Sequence, residues 1–257
     1  MNIVAYTPLL YGKAYLRWAV AAVAPVVGRH IILYTPRPSY GHGTTLPCPD
    51  SEEELRACVA EFDHVEWCTG EWHTESEHRG AVMPLLRQND EILLPVDADE
   101  VWGADLEAVL GLVYNGSIAI VDGKVKKWRD RVREWRICDF IHHWRSFGWV
   151  CRDSMAPTRV IDLRPGRTGV EYISGHVHHF GYAQPVETMR YKWSCHGHQN
   201  ELRQDCNWLE DKYVSWHPGI GDVHPTCVDI WNPGPFARTG LPAVLSNHPY
   251  FDLGIIP

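Results

Sequence analysis

What this 257-residue chain lacks narrows its class first. None of its eight cysteines (Cys48, Cys58, Cys68, Cys138, Cys151, Cys195, Cys206, Cys227) forms a Cys-x-x-Cys pair, which argues against a zinc ribbon. A disulfide scaffold is equally out of place in a chain long enough to bury a full core. The cysteines therefore read as reduced, mostly buried thiols of a cytoplasmic protein. No apolar run reaches the roughly 18 residues needed to span a bilayer. The opening stretch MNIVAYTPLLYGKAYLRW has no charged region followed by a long apolar one, and reads as a first β-strand rather than a secretion signal. Internal repeats, low-complexity tracts and clear linkers are missing, so one domain is expected. A positive balance is missing too. The formal charge is −8, which disfavours nucleic acid or an anionic membrane as default partners.

What is present is an alternation of short apolar runs and helical spacing. Strands are expected over residues 2–6, 29–34, 64–68 and 91–96. Helices are expected between them over 11–27, 51–62 and 77–88, the last shortened or kinked by Pro84. Ser51 followed by Glu52, Glu53 and Glu54 is an N-cap with acid in the first turn. Apolar strands alternating with helices imply an α/β fold with a mostly parallel, Rossmann-like central sheet. Further on, a helix over 105–114 and strands over 117–121, 158–163 and 172–180 are expected, with helical character over 184–198. Residues 124–150 read either as a basic hairpin or as a helix followed by a strand. Regular structure thins out after Trp216, where proline and glycine dominate. Twelve tryptophans and fifteen histidines are high counts; they suit sugar stacking and metal binding, and a Trp-rich core equally well.

The sharpest chemical feature is Leu93-Leu94-Pro95-Val96-Asp97-Ala98-Asp99-Glu100. An apolar strand runs into three acids, and strand ends are where open α/β sheets place ligands. Asp97 and Asp99, two residues apart, project the same way from an extended chain. Hard oxygen donors at that spacing suit Mn²⁺ or Mg²⁺ that also touches phosphates; a solvated acidic turn is the plainer alternative. A second cluster, Gly175-His176-Val177-His178-His179-Phe180-Gly181-Tyr182, leads into Pro185, Met189 and Lys192. Along a strand His176 and His178 share one face and His179 takes the other. His248 is a second candidate metal ligand, and His142-His143 are candidates for an acceptor cleft. His196 and His198 beside Cys195 match no known zinc spacing.

Residues 1 to about 105 resemble the nucleotide-sugar half of GT-A glycosyltransferases, especially family 2-like enzymes. LLPVDADE is similar to the strand end of that family, four positions of mainly apolar residues followed by Asp-x-Asp-Glu. The run from His179 to Lys192, His-x-Gly-x3-Pro-x3-Met-x2-Lys, resembles the stretch in which a histidine completes the metal site. The resemblance implies a GT-A fold, with residues 1–105 holding the nucleotide sugar and residues 106–257 completing the metal site and binding the acceptor. It implies Asp97, Asp99 and His179 as metal ligands, and Thr7, Pro8 and Tyr11 as the loop that grips the base. Thr35 stands near where the family carries an acid that contacts the nucleoside. Arg79 matches the family's arginine ahead of the metal strand, and Lys192 is placed to neutralise a diphosphate.

The activity this implies is metal-dependent sugar transfer from a nucleotide-sugar donor, a UDP-sugar by preference, to a hydroxyl acceptor. Inversion needs a carboxylate to take the acceptor proton; Asp153, beside Trp144, Phe147 and Trp149, is the first candidate and Glu171 the second. Between Lys124 and Arg136 seven basic side chains face only Asp130 and Glu134, with Trp128 and Trp135 interleaved. That pattern is the footprint of a polyanion contact, so the acceptor could be anionic, a hydroxymethylated base in DNA being one case. Two rivals are a metal-dependent nucleotidyltransferase or phosphohydrolase, and a non-enzymatic module that binds glycan or DNA.

Overall fold

The apolar runs of the first hundred residues assemble side by side. In a computed structural model that describes residues 1–39, 43–115, 132–152, 155–195 and 199–257, strands β1 (Ile3–Leu9), β2 (Arg29–Tyr34), β3 (Val65–Thr69) and β4 (Ile92–Pro95) lie parallel in the order β3-β2-β1-β4. Alternate side chains enter different cores, as strand geometry requires. Ala5, Ile92 and Leu94 pack with Trp102, Val109 and Trp135 on one face. Val4, Tyr6, Ile31, Leu33 and Leu93 pack together on the other.

Helices α1 (Leu16–Val23), α2 (Glu52–Val59) and α3 (Glu75–Gly80) make the crossovers. Each is shorter than its sequence pattern suggests. Ser51 does cap α2, in a box closed by Glu54. Helix α3 begins earlier than expected because Thr74 and Glu77 form a second capping box. It stops at Gly80, and Pro84 sits in a separate 3₁₀ turn over Met83–Leu85.

The second half adds β5 (Glu100–Trp102), α4 (Leu106–Asn115), β6 (Arg133–Trp144), β7 (Trp149–Cys151), β8 (Thr158–Asp162), β9 (Gly169–Tyr182), α5 (Val186–Cys195) and β10 (Gly234–Pro235). Beyond β4 the sheet continues through β8, β6, β7 and β10 by antiparallel pairing. Strand β9 runs parallel to β6 and antiparallel to β5. The result is the expected single α/β domain, with a central, mostly parallel sheet flanked by helices and extended by antiparallel strands. The ambiguous stretch 124–150 resolves, where described, into the β6–β7 hairpin. The strand expected over 117–121 lies outside the described residues.

The tryptophans serve mainly as core. Trp144, Trp193, Trp208, Trp216 and Trp231 form a separate cluster with Met189 and Tyr213, built around α5 and a π-helical segment, Trp208–Val214. All eight cysteines are free thiols, but only Cys151 and Cys195 are buried, and Cys138 and Cys227 are exposed. The expectation of mostly buried thiols is corrected accordingly. Among the described residues no helix is long and apolar enough to cross a membrane.

Candidate functional site

The acid run leaves β4 in a turn rather than an extended strand. The Glu100 amide donates to the Asp97 carbonyl at 3.0 Å, and β5 then reverses against β9, pairing Glu100 with His179. The expectation of an extended Asp97-Ala98-Asp99 is thereby corrected, although both carboxylates still reach one cleft. That cleft has a volume near 270 Å³ and is lined by Pro8, Tyr11, Arg79, Asp97, Asp99, His179 and Lys192, among others. It opens at the C-terminal ends of the parallel strands, where the first half of the chain turns back.

Two glycines make the close approach possible. Gly12 has φ +149°, and a Cβ there would meet the Ala98 Cβ at 2.7 Å, so the loop after β1 can lie against the acid turn only without a side chain. At Gly181 a Cβ would collide with the His179 ring and stand 3.1 Å from Asp99 Oδ2. The Gly of His-Phe-Gly-Tyr therefore clears a space that both donors border.

The two aspartates have different surroundings. Asp97 is held by guanidiniums from two sides. Arg79 of α3 donates to its Oδ1 at 2.8 Å and its Oδ2 at 3.2 Å, and Arg159 of β8 donates to Oδ2 at 3.3 Å. Arg79 is itself steadied by Glu75, four residues earlier, at 2.8 Å. Arg159 also forks onto Glu100, with Nε donating to Oε2 at 2.6 Å and Nη2 to Oε1. Burial alone would raise the Asp97 carboxyl, but the Arg79 and Arg159 charges outweigh it and hold it well below the usual carboxylate range. Glu100 is more deeply enclosed. Burial pushes it up to about 7, against the pull of Arg159 and with help from the neighbouring Asp97 charge.

Asp99 faces the open side. Its Oδ1 lies 3.7 Å from His179 Nε2, too far for a hydrogen bond and wider than the ~3.0 Å between adjacent ligands that each sit ~2.1 Å from one octahedral ion, so the two side chains must draw together by about 0.7 Å to share one. Burial raises the Asp99 carboxyl, offset in part by Lys192. Burial, then the adjacent His142 and Lys192, pushes the His179 imidazole well below its usual value, so the ring is neutral at physiological pH, the form that binds metals. Among the described residues no three His, Cys, Asp or Glu side chains already form a metal cage. The reason is local: Asp97 is turned into its arginines. Asp99, neutral His179 and the gap preserved by Gly181 fit an ion that takes its remaining oxygens from substrate and water, as Mg²⁺ and Mn²⁺ commonly do.

The remaining sequence candidates separate cleanly. Pro8, Tyr11 and Lys192 border the cleft, with Lys192 donating to the Gly181 carbonyl at 3.2 Å and lying over the Tyr182 ring. Thr7 does not face the cleft: it is fully buried, its hydroxyl donating to the Val96 carbonyl at 2.7 Å and contacting His30. Thr35 is also buried, closing a turn onto the Arg37 carbonyl. Glu171 is corrected as a base. It is buried near the start of β9, 3.8 Å from Arg133, eight residues before His179 and so ~26 Å away along a strand that rises about 3.3 Å per residue. His248 is buried against Tyr15 and Trp18 and bonded to the Ala14 carbonyl, which removes it as a metal ligand.

Asp153, His196, His198 and most of the basic run, residues 124–131, lie outside the described residues. Of the remainder of that run, Arg133 is paired with Glu171 and Arg136 sits over Tyr172. Sequence reasoning missed Arg159, and it offered His142 for an acceptor cleft rather than as the partner of His179. An arginine beside Val160 and Ile161 in the expected strand was the one available signal for the first.

No protein-family model matches the sequence, and no curated protein matches it. Solved structures with some similarity include the 4-diphosphocytidyl-2C-methyl-D-erythritol synthase of Anaerococcus prevotii DSM 20548 (12% identity, 68% of this chain and 87% of that one, TM-score 0.39). Another is the inositol-1-phosphate CTP transferase of T. maritima (5% identity, 73% and 91%, TM-score 0.40). A third is residues 1–349 of S. aureus TarS (10% identity, 49% and 38%, TM-score 0.34), of which the match spans well under two thirds. At these scores the similarities carry no argument about activity, which rests on the site's own geometry.

Proposed function

We propose that the chain is a metal-dependent glycosyltransferase that moves a sugar from a nucleotide-sugar donor, a UDP-sugar by preference, to a hydroxyl acceptor. One observation carries this reading: Asp99, neutral His179 and Lys192 converge on a single cleft at the end of parallel strand β4. Breaking the bond between sugar and diphosphate leaves negative charge on the departing phosphates. A divalent ion on Asp99 and His179 would supply the Lewis acidity that neutralises it.

The chain's own residues do the rest. Lys192 adds a point charge at the cleft wall, while the Arg79 fork is taken up by Asp97 and Glu75 and holds the other side of the turn. Arg159 keeps Asp97 and Glu100 fixed, so that the turn carrying Asp99 stays in place. A neighbouring hollow beside the ends of β2 and β3, bordered by Arg37, Trp72 and Tyr191, gives the nucleoside an aromatic wall. For the acceptor proton we keep Asp153, the first of the carboxylates that the sequence offers for that role.

The test is a thermal-shift panel of nucleotide sugars with and without Mn²⁺, followed by product analysis of any ligand that stabilises the fold. A Mn²⁺-dependent rise in melting temperature with release of a nucleoside diphosphate supports the proposal. Release of pyrophosphate from a nucleoside triphosphate would instead establish nucleotidyl transfer, and a flat response to every nucleotide would remove both.

A further inference from the structure

Two histidine pairs bridge strands β6 and β9. His143 Nε2 lies 2.9 Å from His178 Nδ1, and His142 Nδ1 lies 2.9 Å from His179 Nδ1. The first pair is sealed among Phe147, Phe180 and Phe236, and neither of its rings lines the main cleft. The second pair stands at the cleft. His179 faces Asp99 through Nε2, while His142, 3% exposed, is enclosed behind it by Phe140 and Trp231.

The atom facing His142 sets the chemistry. A neutral imidazole carries one hydrogen, on Nδ1 or on Nε2, and what the other nitrogen meets decides which. Two Nδ1 atoms at 2.9 Å require one to donate and the other to accept. With the hydrogen on His179 Nδ1 donated to His142 Nδ1, the His179 Nε2 lone pair points toward Asp99, 3.7 Å away. With the opposite arrangement, Nε2 carries the hydrogen and cannot ligate. Metal-binding histidines are usually oriented by such a partner on the other nitrogen, most often a carboxylate or carbonyl. Here the partner at His179 Nδ1 is an imidazole instead.

We propose that His142 is the positioning residue of the candidate metal site: it accepts the Nδ1 hydrogen of His179, fixes that ring's tautomer and orientation, and so presents Nε2 to a divalent ion shared with Asp99. The assignment rests on the metal reading of Asp99 and His179, and adds to it the residue on which ligand competence depends. The ring plane is constrained from a second direction as well, because Phe140 stacks on His179 at 5.3 Å and 27°. The pairing also explains why this His-His couple differs in consequence from its neighbour. His143 and His178 exchange a hydrogen bond with no ligand-facing nitrogen at the cleft.

The experiment combines two readouts on the full chain. Nitrogen-15 NMR of the histidine side chains reports which nitrogen of His179 is protonated, and titration with Mn²⁺ in the presence of UDP, which supplies the diphosphate oxygens, followed by electron paramagnetic resonance and corrected for Mn²⁺ bound by UDP alone, reports affinity. The expected results are an Nδ1-protonated His179 in the wild type and a loss of Mn²⁺ affinity of roughly 10–100-fold in His142→Phe. His142→Asn, which retains an acceptor, should recover part of that loss. His143→Phe serves as the structural control and should leave affinity near wild type. A wild type that binds Mn²⁺ while His179 is protonated on Nε2 overturns the proposal, as does a folded His142→Phe with wild-type affinity. A wild type that binds no Mn²⁺ overturns the metal reading itself, and this inference with it. If His142→Phe does not fold, the wild-type tautomer and the Asn variant still decide.

Discussion

The two sides of the Asp97–Glu100 turn are built from the same acids and end in opposite states. On one side Asp97, at the cleft wall, and the buried Glu100 are locked to Arg79 and Arg159. On the other, Asp99 borders a cleft with His179, at a separation that is not a hydrogen bond. Buried charges must be paired or they shift their pKa values and neutralise. The closed side meets that demand with two guanidiniums, and the open side leaves a carboxylate and a neutral imidazole for a partner from solution. The difference teaches that Asp-x-Asp is not one unit here: one aspartate braces the turn, and the other faces His179 across the cleft.

The largest test of that division is Asp99→Asn or His179→Ala. If the open side holds the ion, either change should lower Mn²⁺-dependent sugar transfer by about 10³-fold, the equivalent of the several kcal/mol that metal charge stabilisation supplies, with little change in thermal stability. A comparable loss of stability would mean the open side is structural after all. Next comes Arg159→Met. Removing one partner of a buried ion network costs about 3 kcal/mol, so urea unfolding should show a marked fall in stability. An unchanged midpoint would show that the closed side does not depend on Arg159.

A smaller effect concerns pH. The folded pKa of Glu100 is raised to about 7, above the ~4.3 of an unfolded chain. Its protonation therefore contributes stability that is present below pH ~4.3 and lost as pH rises through about 7. Glu100→Gln cannot lose that contribution. Relative to wild type, the variant should gain about 2 kcal/mol between roughly pH 5 and pH 8, and parallel urea-denaturation results at the two pH values would show Glu100 ionised throughout. The smallest expected effect is on turnover in Glu171→Gln. That side chain is remote from the turn, so kcat should stay within about twofold of wild type; a large drop would place the catalytic base on β9 again.

Much of this was legible in the chain. The strands of the first half were found because residues covered on both faces are continuously apolar, and α2 because Ser51 and its glutamates form a cap. Pro8, Tyr11, Arg79, Asp97, Asp99, His179 and Lys192 all reach the cleft. Thr7 and Thr35 were misplaced because a hydroxyl near a strand end reads the same whether it meets a ligand or a backbone carbonyl. Glu171 was misplaced because the strand expected over 172–180 began after it, whereas β9 starts at Gly169 and carries Glu171 to its far end, away from His179. Arg159 was invisible, and His142 was given to an acceptor cleft instead of to His179, for a related reason: each reaches the site across a strand pairing, and register between distant strands is not written in either segment alone.

The sequence by itself determined the α/β class, the strand that delivers three acids to its end, and the residue types able to hold phosphate and metal. These follow from local periodicity and from the chemistry of single side chains. Only the tertiary structure decided that Asp97 is engaged and Asp99 is open, and that one of two equivalent histidine pairs stands at the cleft. The physical reason is that guanidinium forks and imidazole hydrogens act over about 3 Å, and contacts of that length between residues 62 or 37 positions apart exist only once the sheet has closed.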